Sequence, residues 1–394
     1  MDQKIVDEVV DTLYSGWITT GPKTKKFEKM LTRYGGHKST LCVSSGSAGL
    51  ELILRWFGIK EGDEVIVPAY TYSATANVVV HCGADVVFVD SGKDFNIDIE
   101  AIKKAITPKT KVIIPVDIAG WPCDYDALNQ LVREPSVVGQ FTPATKEQTM
   151  LGRILILSDA AHSIGAEYRG KLAGSLTDIS VYSFHAVKNL TTAEGGAVCL
   201  NLPEPFNHNL IYKELNTKSL HGQNKDALAK TQLGNWRYDI VEAGYKYNMT
   251  DIQASMGLVE LERYNDDMLV RRKHIFDRYS SGLSGNTWAQ IPEYENRDKK
   301  SSYHVFLLRI NDITELQRDR IIQEIFKREV AVNVHFVPLP MMTYYKNCGF
   351  RISDFPVAFD NYAREISLPV YYDLTDEMVD TVIQAVVDSV QTVL

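Results

Sequence analysis

Short apolar runs alternate with longer amphipathic ones through the first two hundred residues. "STLCVSSGS" leads into the helix-like "AGLELILRWFG", "DEVIVPAYT" into "SATANVVVHCG", and "ADVVFVD" into "IDIEAIKKAIT". "KVIIPVDIAG", "RILILSDAAHS", "DISVYSF" and "GAVCLNL" continue the series. The runs are rich in β-branched residues and lack polar alternation, the pattern of strands covered on both faces. Strands separated by helices predict an α/β domain with a mainly parallel sheet. "YNMTDIQASMGLVELERYNDDMLVRRKHIFDRYSSGL" reads as one long helix or two. Beyond it "SYHVFLLRI", "REVAVNVHF" and "REISLPV" read as strands alternating with the helical "TELQRDRIIQEIFK" and "TDEMVDTVIQAVVDSV". The expected organisation is a large α/β domain over residues 1–265 and a smaller C-terminal α+β domain over 266–394. Residues 133–153 are polar, hold two prolines and read as a surface loop.

Composition narrows the class. A chain of 394 residues, 45% hydrophobic, can bury a large core. Its net charge of −8 and dispersed basic residues argue against nucleic acid as a partner. Five cysteines with no CxxC pair argue against a disulfide framework or a metal site, and fit a reducing compartment. The N-terminus has an acidic amphipathic helix pattern rather than a leader pattern. No apolar run approaches the roughly 18 residues of a membrane span. The expectation is a cytoplasmic protein without membrane insertion.

Three places carry candidate chemistry. Gly46 and Ser47 fall at a strand-to-helix turn, where small residues let backbone N–H groups approach an anion. An ordinary capped helix start fits the same residues. Asp159 ends an apolar strand, at the sheet edge where ligands of α/β folds bind, although a helix cap is an equal reading. Lys188 lies in a turn between two apolar runs, among Ser183, His185, Thr191 and Thr192. A buried lysine loses its proton more readily and becomes a nucleophile for carbonyls. Pyridoxal phosphate (PLP) requires a Schiff-base lysine, an acid for its ring nitrogen and a cradle for its phosphate. Lys188, Asp159 and the pair Ser47/Ser183 could supply all three.

"SGWITTGPKTKKFE", "VSSGSAGLEL", "SDAAHSIGA", "YSFHAVKNLTTAEGG" and "GYKYNMTDIQASMG" resemble the DegT/DnrJ/EryC1/StrS family of nucleotide-sugar aminotransferases. The resemblance implies the fold-type-I, aspartate-aminotransferase-like architecture. It implies Lys188 as the Schiff-base and proton-shuttling lysine and Asp159 as the partner of the pyridine nitrogen. Tyr72 and His162 would sandwich the ring, and Gly46, Ser47 and Ser183 would hold the phosphate. A residue of "GYKYNM" from a partner subunit, Asn248 or Lys246, would complete the phosphate site of a homodimer. Thr20 in the "TTGP" loop, His185 and His335 would contact the sugar. The implied reaction is ping-pong transfer from glutamate, released as 2-oxoglutarate, to carbon 4 of a nucleotide-linked keto-sugar. "GWITTGPK", "FHAVKN", "TAEGG" and "VHFVPLPMMTYYK" are most similar to members acting on a UDP-linked 4-keto-pentose, which implies a place in cell-surface polysaccharide or lipopolysaccharide sugar biosynthesis. The alternatives are a sugar 3-aminotransferase, an amino-acid-directed enzyme of the same fold, and a regulatory member without catalysis. A dehydratase branch carries histidine in place of the lysine, and Lys188 disfavours it.

Overall fold

The computed structural model describes residues 2–225 and 236–394. The strands, in chain order, are β1 (Ser39–Val43), β2 (Glu64–Pro68), β3 (Asp85–Val89), β4 (Thr110–Ile113), β5 (Leu155–Asp159), the hairpin β6 (Glu167–Tyr168) and β7 (Lys171–Leu172), β8 (Ile179–Ser183), β9 (Gly196–Leu200), β10 (Ala289–Gln290), β11 (Lys299–Lys300), β12 (Phe306–Ile310) and β13 (Glu365–Leu368). Seven of them form one sheet in the order β1-β9-β8-β5-β4-β2-β3. The run β3-β2-β4-β5-β8 is parallel, and β9 is antiparallel to both β8 and β1. The mainly parallel α/β sheet expected from the apolar runs is therefore present.

Each central strand is apolar on both faces. Leu155 and Leu157 of β5, Val65 and Val67 of β2, and Val112 of β4 enter one apolar cluster. Ile156, Ile66 and Ile113 on the same strands enter the opposite one. Side chains alternate between faces along a strand, so a sheet with helices on both sides needs uninterrupted apolar sequence. Burying each such side chain stabilises the fold by roughly 1.5–3 kcal/mol. At the start of β5 and β8 a buried ion pair fixes how the two strands meet. Arg153 donates to both oxygens of Asp178 at 2.7 Å, and Asp178 also accepts from the Ile156 N–H at 3.0 Å.

A separate apolar cluster joins β12 and β13 to the helices Leu269–Leu283, Glu315–Lys327 and Asp376–Val393. The long helical segment resolves into two helices. Asp251–Glu262 is started by a Thr250/Gln253 capping box, and a π turn over Tyr264–Met268 separates it from Leu269–Leu283. Two expectations fail. Residues 133–153 are not a plain loop but hold the short helices Pro135–Val138 and Lys146–Leu151. Pro135 starts the first, Thr145 caps the second, and buried Gln148 fastens it by donating to the Phe57 carbonyl at 2.9 Å. "REVAVNVHF" is not a strand, and among the described residues it pairs only through the bridge Asn333↔Ser367. Past that bridge the His335 N–H bonds side chains of β13 instead of a neighbouring backbone. Among the described residues, no helix is long and apolar enough to cross a membrane.

Candidate active site

The C-terminal ends of the parallel strands meet in a cavity of about 430 Å³. Each strand delivers its residue at its last position or just beyond. β1 leads to Gly46 and Ser47, at the start of the helix Gly46–Trp56. β2 leads to Tyr72, β5 ends on Asp159 and β8 ends on Ser183. The turn from β8 to β9 carries Lys188, and Lys188 N–H donates to the His185 carbonyl at 2.9 Å. Gly46, Ser47, Tyr72, Asp159, His162, Ser183, His185, Lys188 and His335 all line the cavity.

Asp159 is buried, and burial raises its pKa. Thr75 Oγ1 opposes that shift by donating to Oδ2 at 2.8 Å, and the Ala161 N–H donates to Oδ1 at 3.3 Å. The field of Lys188 opposes it further. Lys188 is driven the other way: burial lowers its amine to about 8, with Asp159 partly compensating. A carboxyl whose pKa burial raises therefore faces an amine that burial makes readier to give up its proton.

The helix start is shaped for an anion. Ser45 caps it, accepting from the Ala48 N–H at 3.0 Å, and a helix's first turn has N–H groups without intrahelical partners. A Cβ on Gly46 would come within 3.1 Å of Ser183 Cβ, so a larger residue at 46 would crowd the serine. Gly196 on β9 is similarly placed from below. A Cβ there would lie 2.6 Å from the Ser45 carbonyl carbon and 2.7 Å from the Gly46 nitrogen.

Rings close the walls. His162 is buried, its ring centroid is 4.1 Å from that of His304, and among the described residues its Nδ1 has no partner. Burial, then Lys188, lowers its pKa well below the usual value, so it is neutral. Phe336 approaches both Tyr72 and His162 at 5.9 Å between centroids. His304 Nδ1 lies 2.7 Å from Asn189 Oδ1, and Asn189 Nδ2 donates to the Ser302 carbonyl at 2.7 Å. The two remaining expected residues stand apart. Asn248 Nδ2 donates to Thr20 Oγ1 at 2.8 Å, Thr20 donates to the Met249 carbonyl at 2.5 Å, and neither lines this chain's cavity.

Thr75 and His304 line or brace the cavity without a motif to announce them, while Glu194 and Phe336 lie within "TAEGG" and "VHFVPLPMMTYYK", motifs that do not by themselves mark either as a cavity residue. Thr75 meets Asp159 across 84 residues of sequence, a pairing invisible to local pattern. The residues fit PLP: a buried acid is present for the ring nitrogen, the lysine's pKa is lowered to about 8, the helix start is cradle-shaped, and among the described residues His162 Nδ1 has no partner.

Comparison with known proteins points the same way. Residues 1–139 and 144–387 match the model of the DegT/DnrJ/EryC1/StrS aminotransferase family. The spore coat polysaccharide biosynthesis protein SpsC of Bacillus subtilis is 34% identical over 98% of this chain and 94% of its own. Spr1654 of Streptococcus pneumoniae, a candidate sugar aminotransferase solved in its PMP form, superposes with a TM-score of 0.96. It is 47% identical, over 100% of this chain and 98% of that one. PseC of Helicobacter pylori, an aminotransferase of pseudoaminic acid biosynthesis, superposes with a TM-score of 0.86. It is 26% identical, over 100% of this chain and 97% of that one.

Proposed function

Because the chain belongs to the DegT/DnrJ/EryC1/StrS family of PLP-dependent sugar aminotransferases, we propose that it moves the amino group of glutamate to carbon 4 of a nucleotide-linked keto-sugar. The observation that carries this reading is the opposition of Lys188 and Asp159 across one cavity, with the Gly46–Ser47 helix start beside them. Bound there, PLP supplies an electron sink for the carbon that gains or loses the amino group. Lys188 would attack as the neutral amine and afterwards carry a proton on Nζ. Asp159 would keep the proton of the ring nitrogen in place, supported by Thr75. Backbone N–H groups of the first turn and Ser183 Oγ would hold the phosphate. His162 and Tyr72 would cover the two ring faces, while Phe336 and His304 exclude water. His185, His335 and Thr20 would meet the sugar.

The finer reading includes a homodimer in which Asn248 reaches the partner's phosphate site, a cytoplasmic location and a product destined for a cell-surface polysaccharide or lipopolysaccharide. Relatives named for polysaccharide and pseudoaminic acid biosynthesis support that destination. Five unpaired cysteines support a reducing compartment. The change of apolar cluster near the π turn supports a domain boundary at residues 265/266.

The test is spectroscopic. The visible band of the lysine-bound cofactor should disappear when glutamate is added and return with the correct keto-sugar nucleotide. A band that responds to glutamate but returns with no 4-keto-sugar would overturn the acceptor. A protein that takes up no PLP would overturn the enzyme.

A further inference from the structure

A polar chain runs from the cavity wall into the small sheet. The His335 ring lines the cavity, and its Nδ1 lies 2.9 Å from Ser367 Oγ. Ser367 Oγ lies 2.5 Å from Oε1 of Glu365, a fully buried carboxyl on the same strand, β13. The His335 N–H donates to Glu365 Oε2 and to Ser367 Oγ, both at 3.1 Å. Tyr70 Oη donates to the His335 carbonyl at 2.6 Å, so the backbone is held on both sides. The nearby cations form their hydrogen bonds with other groups. Arg318 Nη1 bonds the main-chain carbonyls of Tyr362 and Glu365, and Arg309 Nη1 bonds the Lys93 carbonyl and Asn361.

These heavy atoms accept two complete hydrogen-bond arrangements. With Glu365 ionised, Ser367 donates to Oε1, and its oxygen accepts from the His335 N–H and from Nδ1–H. Nε2 then carries a lone pair. With Glu365 protonated on Oε1, that proton is donated to Ser367 Oγ, Ser367 donates to Nδ1, and Nε2 carries the hydrogen. Oε2 accepts from the His335 N–H in both. Each arrangement satisfies every donor between His335, Ser367 and Glu365, leaves Nε2 facing outward from the chain of bonds, and requires no heavy atom to move.

We infer that His335, Ser367 and Glu365 form a proton relay, which exchanges a proton between the cavity at His335 Nε2 and Glu365. The step balances. A proton binds Nε2, the Nδ1 proton passes to Ser367 Oγ, and the Oγ proton passes to Glu365 Oε1. The imidazole is neutral before and after, and only Glu365 changes charge. The inference rests on the aminotransferase reading for its use, because amino transfer both takes up and releases protons, and a relay loaded at neutral pH can give one up and take it back. Glu365 and Ser367 are positioning residues here, acting through His335.

The surroundings suit the role. Burial lifts Glu365 to about 8, against the bonds from Ser367 and the His335 N–H and the fields of Arg318 and Arg309. Burial, reinforced by Lys188, holds the His335 ring down at about 4, so an imidazolium does not compete as the store. Of the other groups facing the relay, Tyr70 is raised well above its usual range by burial, and His162 and His304 are lowered well below theirs. The charge change therefore falls on Glu365, near pH 8.

Nitrogen NMR of the cofactor-loaded, histidine-labelled enzyme reads the tautomer directly, with His335→Gln identifying the signal. The ring should be Nε2–H at neutral pH and Nδ1–H in alkali, with a midpoint near 8 and no imidazolium between. Glu365→Gln places an amide donor where Oε1–H stood, and should hold Nε2–H at every pH. Ser367→Ala cuts the wire and should leave the tautomer independent of pH. One tautomer throughout in the wild type, or a Glu365→Gln ring that titrates like the wild type, overturns the relay. A switching ring in a protein that aminates no keto-sugar keeps the relay and sinks the proposed function. Amination without a switch does the reverse.

Discussion

Lys188 sits where its charge is least welcome. Burial lowers its amine to about 8, so the protonated form prevails below that value and the neutral form is gained as pH rises through it. Capture of added PLP by the cofactor-free protein should accelerate through about pH 8 and level off above, followed by stopped-flow absorbance. Lys188→Ala should lose both the visible band and turnover while keeping its thermal midpoint, because a turn residue with a penalised charge adds little to the core. Retained turnover would remove Lys188 from the chemistry. Asp159→Asn should keep the cofactor and lose turnover by at least about a hundredfold, the lower end of what a positioned acid contributes. A near-normal rate would make Asp159 a cap and nothing more. Both residues were legible in the sequence because each ends or follows an apolar strand. Thr75, which braces Asp159, was not, because its partner is set by the sheet and not by its neighbours.

Strands and their first turns carry the next level. The phosphate cradle depends on how closely the Ser45–Ser47 loop lies on β9, and Gly196 sets that distance. Gly196→Ala should cost about 1–3 kcal/mol through overpacking, read as a lower urea midpoint. It should also release the cofactor faster on dialysis, because the loop must shift. Unchanged cofactor retention would separate the loop from the anion. Arg153 and Asp178 tie β5 to β8, the strands that end on Asp159 and Ser183. Arg153→Ala leaves a buried carboxylate alone, and should cost about 3–5 kcal/mol by urea unfolding. A loss below 1 kcal/mol, within the range of an exposed pair, would show that water reaches Asp178. The order of these strands could be anticipated as parallel from their unbroken apolar runs. The failure of "REVAVNVHF" could not, since a strand-like sequence forms a strand only where a neighbouring edge is offered.

Across the whole molecule, the cavity is finished by segments from beyond the large sheet. His304, His335 and Phe336 all lie C-terminal to the π turn and reach back over Asp159 and Lys188. Asn248 and Thr20 bond each other away from this chain's cavity, although both belong to segments resembling the family's site motifs. If they serve a partner's site, the protein is a dimer in solution. Light scattering should then give twice the chain mass, and Asn248→Ala should weaken PLP retention without changing that mass. A monomer with full activity would confine the site to one chain.

The sequence by itself determined the α/β class, the mainly parallel sheet, the family and the pairing of a turn lysine with a strand-end carboxylate. Those features follow from local periodicity and from motifs that lie together along the chain. Only the tertiary structure decided which groups share protons. Asp159 with Thr75, His304 with Asn189, and His335 with Ser367 and Glu365 are contacts between segments far apart in sequence. The chemistry of a buried acid or imidazole is set by what surrounds it, and packing alone chooses those surroundings.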